Sequence, residues 1–256
     1  MRSKVMIVVI GIAAVLGIVL CKNTNGSQWF RIGSQKEGES GLFTSQQIVK
    51  KKAYLTFDDG PSKHTDQILD ILKKNDVKAT FFVVGNPTKE AKRKYQRIVA
   101  EGHTLGMHAY EHNYKKIYGS VDAFSKDLQK LQNYLYKITK VKSIYYRFPG
   151  GSSNSCVNDI KPYIRKVKSM GLYYYDWNAL SGDAVDFTQS PEELNNNILK
   201  DAIHENNTII LMHDLGKAKS TVKGLDSLIR SLKDQGYEIL PITESTKEIQ
   251  HVSVDK

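Results

Sequence analysis

Polar residues recur in this 256-residue sequence where short apolar runs stop. Asp58-Asp59-Gly60-Pro61 follows AYLTF, and His108-Ala109-Tyr110-Glu111-His112 ends a run that starts at Thr104. Arg147 lies near the end of IYYRF, ahead of Pro149-Gly150-Gly151. Asn178, Ser181 and Asp183 follow YYYDW, and His213-Asp214 ends TIILM. His108 and His112 are four apart, so on a helical turn both imidazoles face one side and can share one cation. A carboxylate from Asp58 or Asp59 completes a set of two imidazoles and one carboxylate, which leaves a coordination position open to water. The HxxxH spacing alone is a weak signal, and Asp-Asp-Gly-Pro is also ordinary turn composition. Carboxylates, imidazoles and a guanidinium at five run ends together point to one shared site.

A scaffold that serves such a site must bring those run ends to one place. Candidate strands are 53–57, 79–84, 104–107, 144–148, 173–177, 208–212 and 237–241. Helix-like stretches lie between them at 65–74, 89–101, 120–138, 160–170, 191–204 and 221–235. Gln67–Leu72 and the series Leu128, Leu131, Leu135 have helical spacing. Ser190-Pro191-Glu192 supplies a start signal with proline at the first helical position. Strands alternating with helices mean βαβ units and a parallel sheet. Right-handed crossovers allow a closed barrel or a doubly wound sheet, and counting does not separate them. The expected fold is α/β, a distorted (β/α) barrel with about seven parallel strands. Either fold gathers function at the carboxyl ends of its strands, where these polar residues lie.

Thr56-Phe57-Asp58-Asp59-Gly60-Pro61, His108-x-x-x-His112, Arg147-Phe148-Pro149-Gly150, the Trp177–Asp183 segment and Leu211-Met212-His213 resemble the five ordered motifs of the polysaccharide deacetylase family. This family is also called the NodB homology domain, or carbohydrate esterase family four. The resemblance runs from about Lys50 to Thr243. It implies a distorted (β/α) barrel, a divalent metal, commonly zinc, and hydrolysis of N-acetyl groups on glucosamine polymers or O-acetyl groups on xylan. Carried over to this chain, it makes Asp59, His108 and His112 the metal ligands and Asp58 the general base, held by Arg147. His213 becomes the general acid with Asp183 as its charge partner, and Asp176 competes for that place. Leu211 lines the acetyl-methyl pocket with Trp177 nearby, and a backbone N–H near Gly150 serves the oxyanion. Three positions depart from the family pattern. Ala109 stands where Ser or Thr is usual, Gly150 where many members have an aromatic residue, and Ala184 where many have Trp.

Composition bounds the partners. Lys and Arg number 37 against 27 Asp and Glu, a formal net charge of +10. Such an excess suits polyanionic surroundings, whether nucleic acid, anionic lipid or an anionic wall, although a Lys-rich solvated surface gives the same count. The run Lys89–Arg97 has one aromatic residue and no nucleic-acid motif, so it reads as an exposed helix face and no nucleic-acid partner is expected. Cys21 and Cys156 have no His or Cys neighbour at ligand spacing and are assigned no disulfide and no role. His64, His103, His204 and His251 read as surface or structural residues.

Arg2 and Lys4 precede an uncharged run, Val5–Cys21. At about 1.5 Å per residue it reaches about 25 Å, the short end of a bilayer core. It is longer than a usual signal-peptide core, and only Thr24-Asn25-Gly26 imitates a cleavage site, so an N-terminal transmembrane helix is favoured over a cleaved signal. The expected organisation is a membrane anchor or signal sequence over 1–22, a polar linker over 23–49, a catalytic domain over 50–245 and a C-terminal tail over 246–256. The expected place is the cell membrane, single-pass, with the catalytic domain outside the cytoplasm; secretion after signal cleavage is the alternative. The expected activity is metal-dependent deacetylation of N-acetylglucosamine in cell-wall peptidoglycan, using one Zn2+, with Co2+ or Mn2+ as alternatives. Chitin-like chains, poly-N-acetylglucosamine and O-acetylated xylan are alternative substrates, and a non-catalytic wall-polysaccharide binding module is the alternative of another class.

Overall fold

Alternation along the first strand sets the architecture. In β1 (Lys51–Asp58), Ala53, Leu55 and Phe57 belong to the large core, whereas Tyr54 belongs to a smaller cluster with Phe82, Tyr175, Ile209 and Ile242. Successive side chains on a strand point to opposite faces. The two clusters are therefore the outer and inner sides of one curved sheet, the outer side covered by helices. The computed structural model describes residues 50–254.

The remaining strands are β2 (Thr80–Val84), β3 (Thr104–Ala109), β4 (Tyr145–Tyr146), β5 (Tyr173–Tyr174), β6 (Ala179–Leu180), β7 (Asn207–His213) and β8 (Tyr237–Ile239). Seven follow the order β5-β4-β3-β2-β1-β7-β6, and every pairing is parallel. β7 pairs along β1 from Lys52 to Asp58. The other edge of β1 is shared, with β8 against Lys51–Ala53 and β2 against Thr56–Asp58. β5 and β6 end the order without pairing to each other, so the sheet is a half-barrel with one seam. That is the expected parallel α/β barrel in distorted, incomplete form.

Helices α1 (Thr65–Lys74), α2 (Lys89–Ala100), α3 (Tyr114–Ile117), α4 (Val121–Thr139), α5 (Lys161–Ser169), α6 (Pro191–Ala202) and α7 (Lys219–Asp234) complete the chain order. In α1 the buried residues Thr65, Ile68, Leu69 and Leu72 repeat at helical spacing, which gives the helix one apolar stripe to lay on the sheet. Side-chain oxygens start four of the helices: Thr88 accepts from Ala91 N, Asn113 from Lys116 N, Ser120 from Ala123 N, and Ser190 with Glu193 forms a reciprocal capping box. Six helices and seven strands lie where periodicity places them, though β4, β5 and β8 are shorter. β6 and α3 span two and four residues, too few for any period to register.

Residues 249–252 bridge the seam beside β5. Asp176 N donates to Ile249 O at 2.8 Å, and the Tyr174 hydroxyl donates to Val252 O at 2.5 Å. Asp176 is fully buried, and its carboxylate accepts from Ser152 N, Ser152 Oγ and His251 N at 2.8, 2.5 and 2.8 Å. It therefore ties the end of the chain to the loop after β4, which removes it as a competitor for His213.

The expected single-pass placement at the cell membrane is corrected. Among the described residues no helix is long and apolar enough to cross a membrane. The run Val5–Cys21, on which the transmembrane helix and the anchor rested, lies outside the described residues, as do the linker 23–49 and Cys21. Cys156 is exposed and free.

Candidate active site

Asp58 is the last residue of β1, and the strand register sets it beside His213 at the end of β7. Beyond it, Asp59 adopts φ 71°, a left-handed conformation that is uncommon outside glycine and that Asp tolerates better than most residues. This twist takes the Asp59 carboxylate off the strand line. Gly60 follows because nothing larger fits: a Cβ there would lie 2.4 Å from Asp214 Oδ2. Asp214 itself accepts from Ser62 Oγ and Thr65 Oγ1, each at 2.5 Å, and so braces the whole turn from beneath. Burial pushes its carboxyl above the usual range. Asp214 starts the loop after β7 and at the same time braces the loop after β1.

His108 lies in β3, and His112 stands in the irregular stretch after it, not on a helical turn. Four residues along a straight strand would part the two rings by about 13 Å. The chain bends instead, and Asp127 of α4 secures the bend by accepting from Tyr110 N at 2.7 Å and Glu111 N at 2.9 Å. The rings come to 5.1 Å between centroids. Asp59 Oδ1 is 3.5 Å from His108 Nε2 and 3.3 Å from His112 Nε2, and the three ligand atoms lie within 4.8 Å of one another.

This set fits a cation. His108 Nδ1 lies 2.8 Å from Arg147 O, and a carbonyl only accepts, so Nδ1 carries the proton and Nε2 of a neutral ring presents a lone pair. Burial, acting against the nearby carboxylates, lowers the pKa of His108 and keeps that ring neutral. Asp59 Oδ1 is buried and has no hydrogen-bond partner. Lone pairs that converge without a donor repel, and a buried orphan oxygen is costly; a positive ion at their meeting point answers both.

Two further pairs flank this triad. Arg147, fully buried, donates from Nη1 to Asp58 Oδ1 at 2.9 Å and to Thr56 Oγ1 at 2.6 Å. Its Nε and Nη2 reach Tyr175 O and Asp176 O at 2.9 Å each, and its plane lies 4.3 Å from the Phe82 ring centroid. A guanidinium so satisfied tolerates burial and holds Asp58 in one orientation. Asp58 Oδ2 is left 4.0 Å from His108 Nε2.

On the other side His213 Nδ1 is 2.7 Å from Asp183 Oδ1. Asp183 Oδ2 accepts from His213 N at 2.9 Å and from Thr221 Oγ1 at 2.7 Å. Burial works to lower the His213 pKa, but the Asp183 hydrogen bond and charge outweigh it, and Asp58 and Asp59 add to them, so the pKa is raised. Burial likewise opposes Asp183, yet its bonds to His213 and Thr221 bring its pKa below the usual value. The pair thus favours imidazolium beside carboxylate.

Leu211 sits two residues before His213 on β7, almost fully buried at 8% exposure. Gly150 is in the turn after β4. Trp177 packs on Gly151 and His251 and lies 5.7 Å from the Arg147 guanidinium, behind the Asp58 pair. Of the other histidines, His103 is buried with Nδ1 accepting from Ala79 N, and burial lowers its pKa to about 4. Asp127, Thr221 and Tyr114 were not legible as site residues, since each reaches the site from a helix. Tyr114 stands edge-on to His112, and burial, then Asp59, Cys156 and Asp58, raise its pKa.

Acids and imidazoles delivered to one rim of a parallel half-barrel, around a triad that could hold a cation, suit a hydrolytic centre. Comparison with known proteins narrows that class. The family model described as polysaccharide deacetylase matches residues 46–174. A peptidoglycan-N-acetylglucosamine deacetylase of Bacillus cereus is 33% identical over 213 residues, covering 80% of this chain and 73% of that protein. The crystal structure of the catalytic domain of a peptidoglycan N-acetylglucosamine deacetylase from Eubacterium rectale superposes with a TM-score of 0.75 at 35% identity, covering 79% of this chain and 93% of that one. A CE4 esterase of Streptococcus mutans gives 0.70 at 30% identity, over 76% and 87%. The chain belongs to the polysaccharide deacetylase family and is an enzyme of the hydrolase class.

Proposed function

We propose that this enzyme removes N-acetyl groups from N-acetylglucosamine residues of cell-wall peptidoglycan in a metal-dependent hydrolysis. The observation that carries the reading is the triad Asp59, His108 and His112 with its orphaned carboxylate oxygen, set between the Asp58–Arg147 and His213–Asp183 pairs. Those three residues would hold one divalent ion, and a set of two imidazoles and one carboxylate suits Zn2+, with Co2+ or Mn2+ as alternatives. Such an ion, when bound, polarises the amide carbonyl and makes water a stronger nucleophile near neutral pH.

The chain's own groups move the protons. Asp58, fixed by Arg147 through Oδ1, keeps Oδ2 for the proton of the attacking water. His213 is fixed through Nδ1, which leaves Nε2 to protonate the departing amine; an amide anion does not leave. Asp183 holds that imidazole in its charged form, so Arg147 and Asp183 act through Asp58 and His213. The Gly150 N–H, without an acceptor among the described residues, would donate to the oxygen that gains charge during attack. Leu211, on the same face of β7 as His213, would meet the acetyl methyl, with Trp177 backing the Arg147 side of the pocket. The peptidoglycan assignment is supported by the relatives named for it and by the net charge of +10, which suits an anionic wall.

The test uses the full chain, stripped with a chelator and reloaded with zinc, cobalt or manganese. Acetate release is then followed on peptidoglycan, chito-oligosaccharides and acetylated xylan. Release that depends on added metal and is fastest on peptidoglycan is expected. A faster reaction on either other substrate reassigns the polymer. Wall binding without acetate release under any metal overturns the catalytic reading in favour of a binding module.

A further inference from the structure

Tyr114 opens α3 at the lip of this site, and none of the steps above uses it. Its ring lies perpendicular to His112, with centroids 5.2 Å apart at 89°, and packs on Tyr118 at 6.0 Å. Its third neighbour is backbone. A Cβ built on Gly150 would lie 3.3 Å from Tyr114 Cε1 and 3.4 Å from its hydroxyl oxygen. Gly150 has φ 77°, a conformation L side chains rarely adopt, so the turn after β4 offers no side chain at that position, and the tyrosine ring and Asn154 Cβ border the space over it. Asn113 fixes the start of α3 by accepting from Lys116 N at 3.2 Å.

The ring is therefore confined on three sides, yet its hydroxyl has no hydrogen-bond partner among the described residues. Nearby phenols differ. Tyr118 donates to Pro149 O, Tyr163 to Tyr118 O and Tyr134 to Asn86 O, each at 2.8 Å. A half-buried tyrosine usually gives its O–H a partner. One that is rigid, leaves its polar tip unused and borders a cation-binding triad is preorganised for a ligand, because little rotamer freedom remains to be lost on binding.

We propose that Tyr114 is a specificity-determining residue that touches the substrate: its ring forms the wall of the groove on the His112 side, packs on the C–H face of a hexosamine unit, and its O–H donates to an oxygen of that sugar. This deepens the deacetylase reading and rests on it. The loop after β4, bare at Gly150, leaves the wall to α3. Hexose rings combine an apolar C–H face with peripheral hydroxyls, which is what an aromatic ring with one polar tip can match.

Kinetics on the full, metal-loaded chain separate the two contributions. Acetate release from chito-oligosaccharide is measured for Tyr114→Phe, Tyr114→Leu and Tyr114→Trp, with bound metal determined for each. Tyr114→Phe, which loses one hydrogen bond, should raise KM about threefold to tenfold. Tyr114→Leu, which loses the aromatic face as well, should raise it about tenfold or more, with kcat falling less than KM rises. Tyr114→Trp, which keeps a ring and an N–H donor, should recover much of the loss seen with leucine. Unchanged KM in both the phenylalanine and leucine variants overturns the proposal. So does loss of bound metal, or a fall in kcat at constant KM, because either would make Tyr114 a support for His112. A wild-type chain inactive on every glycan sinks the deacetylase reading itself; an active wild type whose variants keep their KM sinks only the role of Tyr114.

Discussion

Asp183→Asn tests the proton donor with little change of shape. The carboxylate is 2% exposed and the His213 side chain 17%, so solvent screens their 2.7 Å contact weakly. Asparagine keeps one carbonyl oxygen, which can accept from the ring N–H or from His213 N and Thr221 Oγ1 but not from both sides; it loses the charge and one acceptor. A hydrogen bond between charged groups contributes about 1.5–3 kcal/mol against about 0.5–1.5 for a neutral one. The imidazolium is thus destabilised by about 1–2 kcal/mol, a factor of about five to thirty in the charged fraction once pH exceeds its pKa. The folded pKa of His213 is raised above 6.5, so its contribution to stability is complete below 6.5 and is lost as pH rises through the folded value. Asp183 is lowered below 3.8, so its contribution is present above 3.8 and is lost as pH falls through the folded value. In the variant the alkaline limb of kcat/KM should therefore move to lower pH. Activity above that limb should fall by about five- to thirtyfold, while the two enzymes converge towards acid. The assay is acetate release from chito-oligosaccharide between about pH 5 and pH 9, with thermal unfolding followed in parallel. An alkaline limb that stays in place, in a variant that remains folded, would refute His213 as the acid or Asp183 as its partner.

Three other perturbations read different parts of the site. Asp58→Asn should retain bound metal and lose about a hundredfold to ten-thousandfold in kcat, measured by metal analysis beside acetate release; near-normal turnover would exclude Asp58 as the base. Asp127→Ala removes the acceptor of Tyr110 N and Glu111 N, and with it the bend that faces His112 towards Asp59. By analogy with other groups that orient metal ligands, affinity should fall about tenfold to a hundredfold in a competition titration with a chromogenic chelator, and an unchanged affinity would show that the bend holds without it. Asp176→Ala strands three donors, Ser152 N, Ser152 Oγ and His251 N, in the seam between β5 and β6. At about 1 kcal/mol or more per stranded donor, the loss should be about 3 kcal/mol in denaturant unfolding; a loss under about 1 kcal/mol would mean that water reaches the seam.

Much of this was legible in the sequence because local pattern depends on near neighbours. The stripe Ile68, Leu69, Leu72 and the start signal Ser190-Pro191-Glu192 are decided within a few residues, and both helices stand where those signals put them. Short apolar runs marked the strands, and their polar ends marked the rim. His108, His112 and the pair Asp58-Asp59 were legible in the same way, as donor types at strand ends, and the family resemblance chose Asp59 from the pair.

Tertiary structure decided how those groups meet. Nothing near His108 in the chain reveals that the HxxxH segment is a strand end followed by a bend, because the carboxylate that secures the bend, Asp127, comes from α4. Nothing local distinguishes Asp176 from Asp183 as the partner of His213: both are buried carboxylates after β5, and only the pairing of β6 with β7 brings the second one to the imidazole. Asp58 faces His213 because β1 and β7 pair in that register, across most of the chain's length. Tyr114 borders the space over Gly150 because two loops distant in sequence share one rim. The residue types carry the chemistry a group can do, whereas hydrogen-bond register and burial, which are properties of the folded sheet, determine which group acts on which.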